Sequence, residues 1–143
     1  MAQTSRQGWL VKEEPDSYSY AQLVRDGRTV WAGVKNPLAQ KHLRSIKHGD
    51  RVFYYHTGKV KAIVGVATAA GDAYPDPKGQ KGPTSSAYVV DLVPDNALAH
   101  PVTLAAVKAD PFFASFALVR MGRLSVMPVS DAEWARLEKM GRG

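Results

Sequence analysis

The spacing of apolar and polar positions changes several times along the chain, and each change marks an element. Gly8-Trp9-Leu10-Val11-Lys12-Glu13 reads as a first strand. Glu14-Pro15-Asp16 closes it, because proline restricts its predecessor and cannot join a central ladder. A short helix follows, capped by Ser17 or Ser19, with Leu23 and Val24 facing inward and Gly27 ending it. Arg28 to Trp31 is then a short extended piece. Asn36-Pro37 opens an amphipathic helix, since the asparagine oxygen accepts an orphan backbone N–H and proline is pre-organised for the first helical position. Leu38, Leu43 and Ile46 form its apolar side and Lys41, Arg44 and Lys47 a basic flank. His48-Gly49-Asp50 is expected to stop it, with Gly49 as a left-handed residue.

Downstream, Asp50 to Thr57 is the clearest strand, rich in the β-formers Val52, Phe53, Tyr54 and Tyr55. Thr57-Gly58-Lys59 supplies a turn, and Val60 to Ala70 is the return strand of a hairpin, with Gly65 a bulge or a point of close backbone approach. Prolines and glycines crowd the stretch after Gly71, which predicts a long loop over 71–84 with Tyr74 at its start, placed to swing towards Trp31. Ser86 to Val93 reads as another strand and Pro94 to Pro101 as a polar connection. Thr103 caps a helix over Leu104 to Lys108 that Asp110-Pro111 ends, and Phe112, Phe113, Phe116, Leu118 and Val119 read as core filling. Arg120-Met121-Gly122-Arg123 turns into a last short strand, Leu124 to Val129. Ser130 with Glu133 forms a capping box that heads a helix through Trp134 and Leu137 to Gly141. The expected architecture is α+β: five or six strands in a small, partly closed β-barrel with helices on its outside, in one domain over 1–143.

Composition narrows the function classes. With 143 residues, 45% hydrophobic and 22% charged, the chain is an ordinary globular protein with enough length to bury a core. No apolar run is long enough to span a bilayer, and Met1 to Gln7 is polar, so a cytoplasmic or nuclear protein without a membrane partner is expected. The absence of cysteine removes thiolate nucleophiles and thiolate metal sites, and the four histidines lack metal-binding spacing, so neither metal nor cofactor is expected. A net charge of +6 favours polyanionic partners. Lys35, Lys41, Arg44, Lys47, Arg51, Lys59 and Lys61 are interleaved with Trp31, Tyr54 and Tyr55, the pairing of phosphate-binding charge and stacking rings that nucleic-acid binding uses. The same pattern also describes a solvated helix face beside buried strand aromatics, and a single Trp next to a helix start, as at Trp31, is more often a core or staple residue than a binding platform.

No phosphate-binding glycine loop, nucleophile elbow or His-Glu-x-x-His run is present. His56 at a strand end, with Glu13 or Asp16, offers an alternative acid–base pair for a small nucleotide-processing enzyme.

Five blocks carry a resemblance to a known family. They are Trp9-Leu10-Val11-Lys12-Glu13-Glu14-Pro15-Asp16, Trp31-Ala32-Gly33-Val34-Lys35-Asn36, Gly49-Asp50 with Phe53-Tyr54-Tyr55-His56, Ala73-Tyr74-Pro75-Asp76, and Gly122-Arg123-Leu124-Ser125-Val126-Met127-Pro128-Val129. In that order, over roughly Gly8 to Lys139, they closely resemble the EVE domain family. The resemblance implies a PUA-like fold related to the YTH readers of methylated adenine in RNA. It also implies a non-catalytic reader of a modified base, cytosine derivatives such as 5-methylcytosine in DNA being the favoured ligands. In bacteria the family is similar to modules beside modification-dependent restriction systems.

By the same resemblance Trp31 stacks on a flipped base, with Gly33, Val34, Asn36, Tyr54, His56, Ser125, Val126 and Met127 around the pocket and Tyr74 closing over it. Lys12, Lys35, Lys41 and Arg44 are the residues expected to hold the phosphate backbone. Glu13 stands where many relatives have Thr or Ser, and Ala32 replaces a common acidic residue. An RNA-binding accessory role without base flipping is a further alternative.

Overall fold

The computed structural model describes residues 7–32, 34, 36–76 and 87–142. Its strands run β1 (Gly8–Glu13), β2 (Thr29–Trp31), β3 (Arg51–His56), β4 (Ala62–Ala69), β5 (Tyr74–Pro75), β6 (Tyr88–Thr103) and β7 (Val126–Val129). The helices are α1 (Tyr20–Asp26), α2 (Pro37–Arg44), α3 (Leu104–Ala109), α4 (Ala117–Arg120) and α5 (Asp131–Arg142), with a 3-10 turn at Pro111–Phe113. The strands form a curled sheet in the order β2-β6-β4-β3-β1-β7, with β5 added to β6. The expected α+β, PUA-like half-barrel flanked by helices is therefore the fold observed.

Most helix signals operate as local chemistry dictates. The Ser19 hydroxyl accepts from Gln22 N to start α1, and Gly27 ends it at φ 76. Asn36 Oδ1 accepts from Ala39 N at 3.0 Å, with Pro37 first in α2. The capping box forms in both directions, Glu133 N to Ser130 Oγ at 3.1 Å and Ser130 N to Glu133 Oε1 at 2.9 Å. One boundary and one buried position differ from expectation. Helix α2 ends at Arg44, so Ile46 is buried from the following turn and Gly49 (φ 87) shapes that turn rather than capping the helix. Val24, expected inside, is 54% exposed, because Tyr20 and Leu23 alone of α1 meet the sheet.

The largest revision concerns Pro94 to Pro101, which is strand rather than connection. Strand β6 carries on to Thr103 by absorbing its prolines at irregularities. Pro94 lies at a register shift opposite Ala67, and between Ala97 and Val102 the ladder to β4 breaks again, leaving Pro101 without a registered partner. A bulge asks no ladder N–H of proline. In that bulge Leu98 packs on Gly141 of α5. The loop after Gly71 likewise begins with strand, since Tyr74 and Pro75 pair with Val89 and Tyr88; residues 77–86 lie outside the described residues.

Phe53 stacks on Trp134 with centroids 3.8 Å apart, and Phe113, Phe116 and Leu118 are buried in the same core. Phe112, expected in the core, is 45% exposed under the Arg136 guanidinium. The Tyr20 ring lies against Gly65, where an added Cβ would meet ring carbons at 2.5 Å, so the glycine serves close approach as well as the bulge. Asp50, the buried acid, ties the start of β1 to the turn before β3: it accepts from Trp9 Nε1 and Lys47 N, each at 2.9 Å, and from Gln7 N at 3.3 Å.

Candidate functional site

Parallel pairing of β1 with β3 and antiparallel pairing with β7 bring Lys12, Glu13, His56, Ser125 and Val126 to one end of the sheet. Glu13 and His56 are register partners, yet each is already engaged. His56 Nε2 accepts from Tyr20 N at 3.0 Å, and Glu13 Oε1 accepts from Glu14 N at 3.2 Å. Burial holds the His56 imidazole below its ordinary pKa against a weaker upward pull from Glu14, and burial raises the Glu13 carboxyl. Asp16 is exposed in the turn after β1. The neutral imidazole thus accepts from the first N–H of α1, and the lone pair a general base would use is engaged in that bond.

That contact carries a pH dependence. Since the folded pKa of His56 lies below the ordinary 6.5, its stabilisation is complete above that value and is lost as pH falls through the folded one. His42, lowered by burial and then by Lys41, acts in the same direction. The melting temperature should fall between about pH 7.5 and about pH 5, and fall less in His56→Gln, whose amide oxygen accepts the same N–H without titrating. An equal fall in both proteins would remove His56 as its cause.

Several expected pocket residues are core. Tyr54 is fully buried and its hydroxyl donates to Tyr18 O at 2.8 Å, with burial pushing its pKa well up. Val126 and Met127 are fully buried in β7 opposite Val11 and Leu10. Ser125 is half-buried and its carbonyl accepts from Lys12 N at 2.9 Å. The Tyr74 hydroxyl donates to Asp91 Oδ1 at 2.6 Å, and Asp91 also pairs with Arg28 at 2.7 Å. Burial alone would raise the Asp91 pKa, but these bonds lower it, and the bond to Asp91 raises that of Tyr74. Lys41 and Arg44 are exposed on α2, with Arg44 over the Tyr88 ring at 5.7 Å. Gly33 and Lys35 lie outside the described residues.

Trp31 ends β2 opposite Val90 and is 5% exposed, so its ring presents no open face. Its indole Nε1 is nevertheless buried without a hydrogen-bond partner among the described residues. The other such atoms, Arg51 Nε and Trp134 Nε1, belong to one packed pair in which the guanidinium lies 4.4 Å from the indole centroid. From Trp31 the chain passes through buried Val34, whose carbonyl accepts from Gln40 Nε2 at 2.8 Å, to Asn36.

Asn36 borders an open cleft of about 350 Å3, lined also by Leu38, Arg120, Met121, Gly122, Arg123 and Leu124. The N-terminus of α2 contributes positive helix-dipole potential there, and the two arginines are exposed cations without an ion pair among the described residues. The arrangement suits a planar ligand beside an anion: donors from Asn36 and arginine, apolar walls from Leu38, Met121 and Leu124. The sequence shows Arg120 to Arg123 as a turn whose Gly122-Arg123 opens a family-like block; the two arginines flanking Met-Gly were the signal for a cation pair there. Among the described residues, no group of three His, Asp or Glu is placed to hold a metal, and no helix is long and apolar enough to cross a membrane.

Comparison with known proteins matches the EVE domain profile over residues 7–140. Among solved structures, the chain is similar to a Rhodopseudomonas palustris protein at 44% identity and TM-score 0.87, covering 94% of this chain and 92% of that one. An Agrobacterium tumefaciens protein matches at 31% identity and TM-score 0.88, with coverage of 94% and 92%. Human THYN1 protein, solved in complex with DNA containing 5-methylcytosine, shares the fold at 24% identity and TM-score 0.86, with coverage of 96% and 98%. Thymocyte nuclear protein 1 from Gallus gallus is 36% identical over 80 residues, and that from Homo sapiens 35%. These matches take in 48% of this chain and only 33% and 36% of those longer proteins.

Proposed function

The chain belongs to the EVE domain family, and from that premise we propose that it is a non-catalytic module that captures a modified base, a cytosine derivative in DNA first of all, from a nucleic-acid strand. The observation that carries the reading is the Trp31 indole N–H, buried without an acceptor at the end of β2, a few residues before the open cleft of Asn36, Arg120 and Arg123. A buried donor left unpaired costs about 1–3 kcal/mol, a cost that a ligand acceptor removes. The complex of human THYN1 protein with DNA containing 5-methylcytosine supports the same ligand class.

The energetics require several contributions. Extruding a base costs a few kcal/mol, and stacking returns roughly 1–3 kcal/mol, so stacking alone barely breaks even. The helix N-terminus and the arginines hold the backbone. A methyl group in an apolar notch adds about 1 kcal/mol. Leu38, Met121 and Leu124 supply the apolar lining of the cleft, whereas Val126 and Met127 are already covered by the fold. With Trp31 buried, stacking on it requires the packing over its ring to open as the base enters.

The test is binding of the protein to matched fluorescent DNA and RNA oligonucleotides carrying plain cytosine, 5-methylcytosine, 5-hydroxymethylcytosine or N6-methyladenine, at two salt concentrations. A preference of about tenfold, worth about 1.4 kcal/mol, that survives higher salt is the expected result. Equal and salt-sensitive binding to all of them would overturn it and leave only electrostatic affinity.

A further inference from the structure

A second cleft, of about 190 Å3, shares Gly122 with the first and gathers three lysines distant in sequence, Lys12 from β1, Lys61 from the hairpin before β4, and Lys108 from the last turn of α3. Tyr55, Thr57, Leu104 and Leu118 are among the other residues around it. Lys12 Nζ donates to Gly122 O at 2.8 Å and lies 5.6 Å from the Tyr55 ring centroid, so one ammonium stands at the wall common to both clefts. Two of its three N–H groups are left for other acceptors.

Lys61 is exposed, but its backbone is held in place at the mouth of the cleft. It is the non-glycine residue with positive φ (46°) among those described, and its carbonyl accepts from Leu104 N at 2.8 Å, which fixes the hairpin to the start of α3. Non-glycine residues in that region are uncommon and persist where the surrounding structure enforces them. The ion pairs of the described residues involve Arg28, Arg51, Arg136 and Arg142, and none of the three lysines. No carboxylate lines the cleft; the nearby Glu14 is tied at the rim by the Thr57 hydroxyl at 3.1 Å, beside Gly58. Burial lowers the Lys12 pKa, in keeping with a cation whose hydration is already reduced. Three like charges around one partly apolar cleft repel, and a bound anion offsets that repulsion more strongly there than in open water.

We propose that this cleft is a phosphate seat, which takes the phosphodiester next to the base held in the Asn36 cleft. The proposal deepens the reader function and rests on it for the source of the phosphate. Lysines act here as point charges, so the seat is indifferent to base identity.

The experiment pairs Lys61→Asn, a residue that tolerates the left-handed backbone, with Lys108→Gln in one variant, leaving Lys12 and its bond to Gly122 intact. Affinity for modified and unmodified oligonucleotides is measured across a salt series, and inorganic phosphate is titrated into both proteins by NMR. The expected result is about a tenfold loss of affinity at low salt and a salt slope reduced by about two, equal for both oligonucleotides, with phosphate shifting the amides of Lys61, Leu104 and Lys108 only in the parent. Unchanged affinity and slope with the base preference intact would overturn the seat and leave the reader standing. A parent without base preference, whose slope still falls in the variant, would keep the seat and overturn the reader. Phosphate shifts without any change in oligonucleotide slope would overturn the nucleic-acid source in favour of a free phosphate-bearing ligand.

Discussion

Trp31→Phe should fold nearly as well as the parent yet bind its best oligonucleotide about tenfold or more weakly. The two halves of that expectation come from one atom. The indole Nε1 is buried and unpaired, so removing it takes away a polar group the folded chain does not satisfy, and this offsets part of the apolar area lost with the larger ring. On the proposed reading a bound base gives the same N–H an acceptor, and its loss, with the smaller stacking surface, should cost about 1.4 kcal/mol or more, which is tenfold in affinity. Trp31→Ala separates the roles less cleanly, because a cavity in place of a buried tryptophan costs about 3–5 kcal/mol of stability. Urea unfolding and binding titrations on the two variants decide the matter. If Trp31→Phe binds as tightly as the parent, Trp31 is a core residue and the indole has no ligand partner.

The largest stability effect outside the hydrophobic core should come from Asp50→Ala, a loss of about 3–4 kcal/mol. The carboxylate is 6% exposed and joins the start of β1 to the turn before β3 through Trp9 Nε1, Gln7 N and Lys47 N. Alanine leaves the Trp9 indole N–H buried with no acceptor, and a hydrogen bond to a charged group contributes about 1.5–3 kcal/mol before that penalty is counted. Asp50→Asn keeps one acceptor oxygen and should recover about half of the loss. Chemical denaturation followed by tryptophan fluorescence reads both, and an Asp50→Ala protein within about 1 kcal/mol of the parent would show that the turn before β3 holds without its acid. Because this cluster lies at the Gly8 and Arg51 ends of β1 and β3, away from Lys12 and His56, affinity should follow stability only through the folded fraction.

Much of the fold was legible in the chain because its signals act over a few residues. Ser19, Asn36, Thr103 and Ser130 all cap the helices they precede, and their acceptor bonds span three positions. Proline and glycine punctuation likewise marked the end of β1 and the turn at Gly58. The same local logic failed at Pro94 to Pro101. Whether proline breaks a strand depends on what the partner strand asks of it, and β4 supplies bulges there.

The candidate site divides along the same line. Residue type and family-like blocks pointed to Trp31, Asn36 and Lys12 from the chain alone. That Tyr54 and His56 are tied into the fold follows from contacts across long separations: Tyr54 to the carbonyl of Tyr18, 36 positions away, and Tyr20 N to His56, also 36 away. Periodicity reports that a side chain faces inward, but not whether its polar atom finds a partner there. The lysine cleft and the arginine-lined cleft either side of Gly122 exist only once β1, the β3–β4 hairpin, α3 and the turn before β7 are folded together. The sequence by itself determined most of the elements, their caps and the excess of positive charge. Only the tertiary structure decided where that charge converges, because an electrostatic site is a sum over distances in space that positions along the chain do not encode.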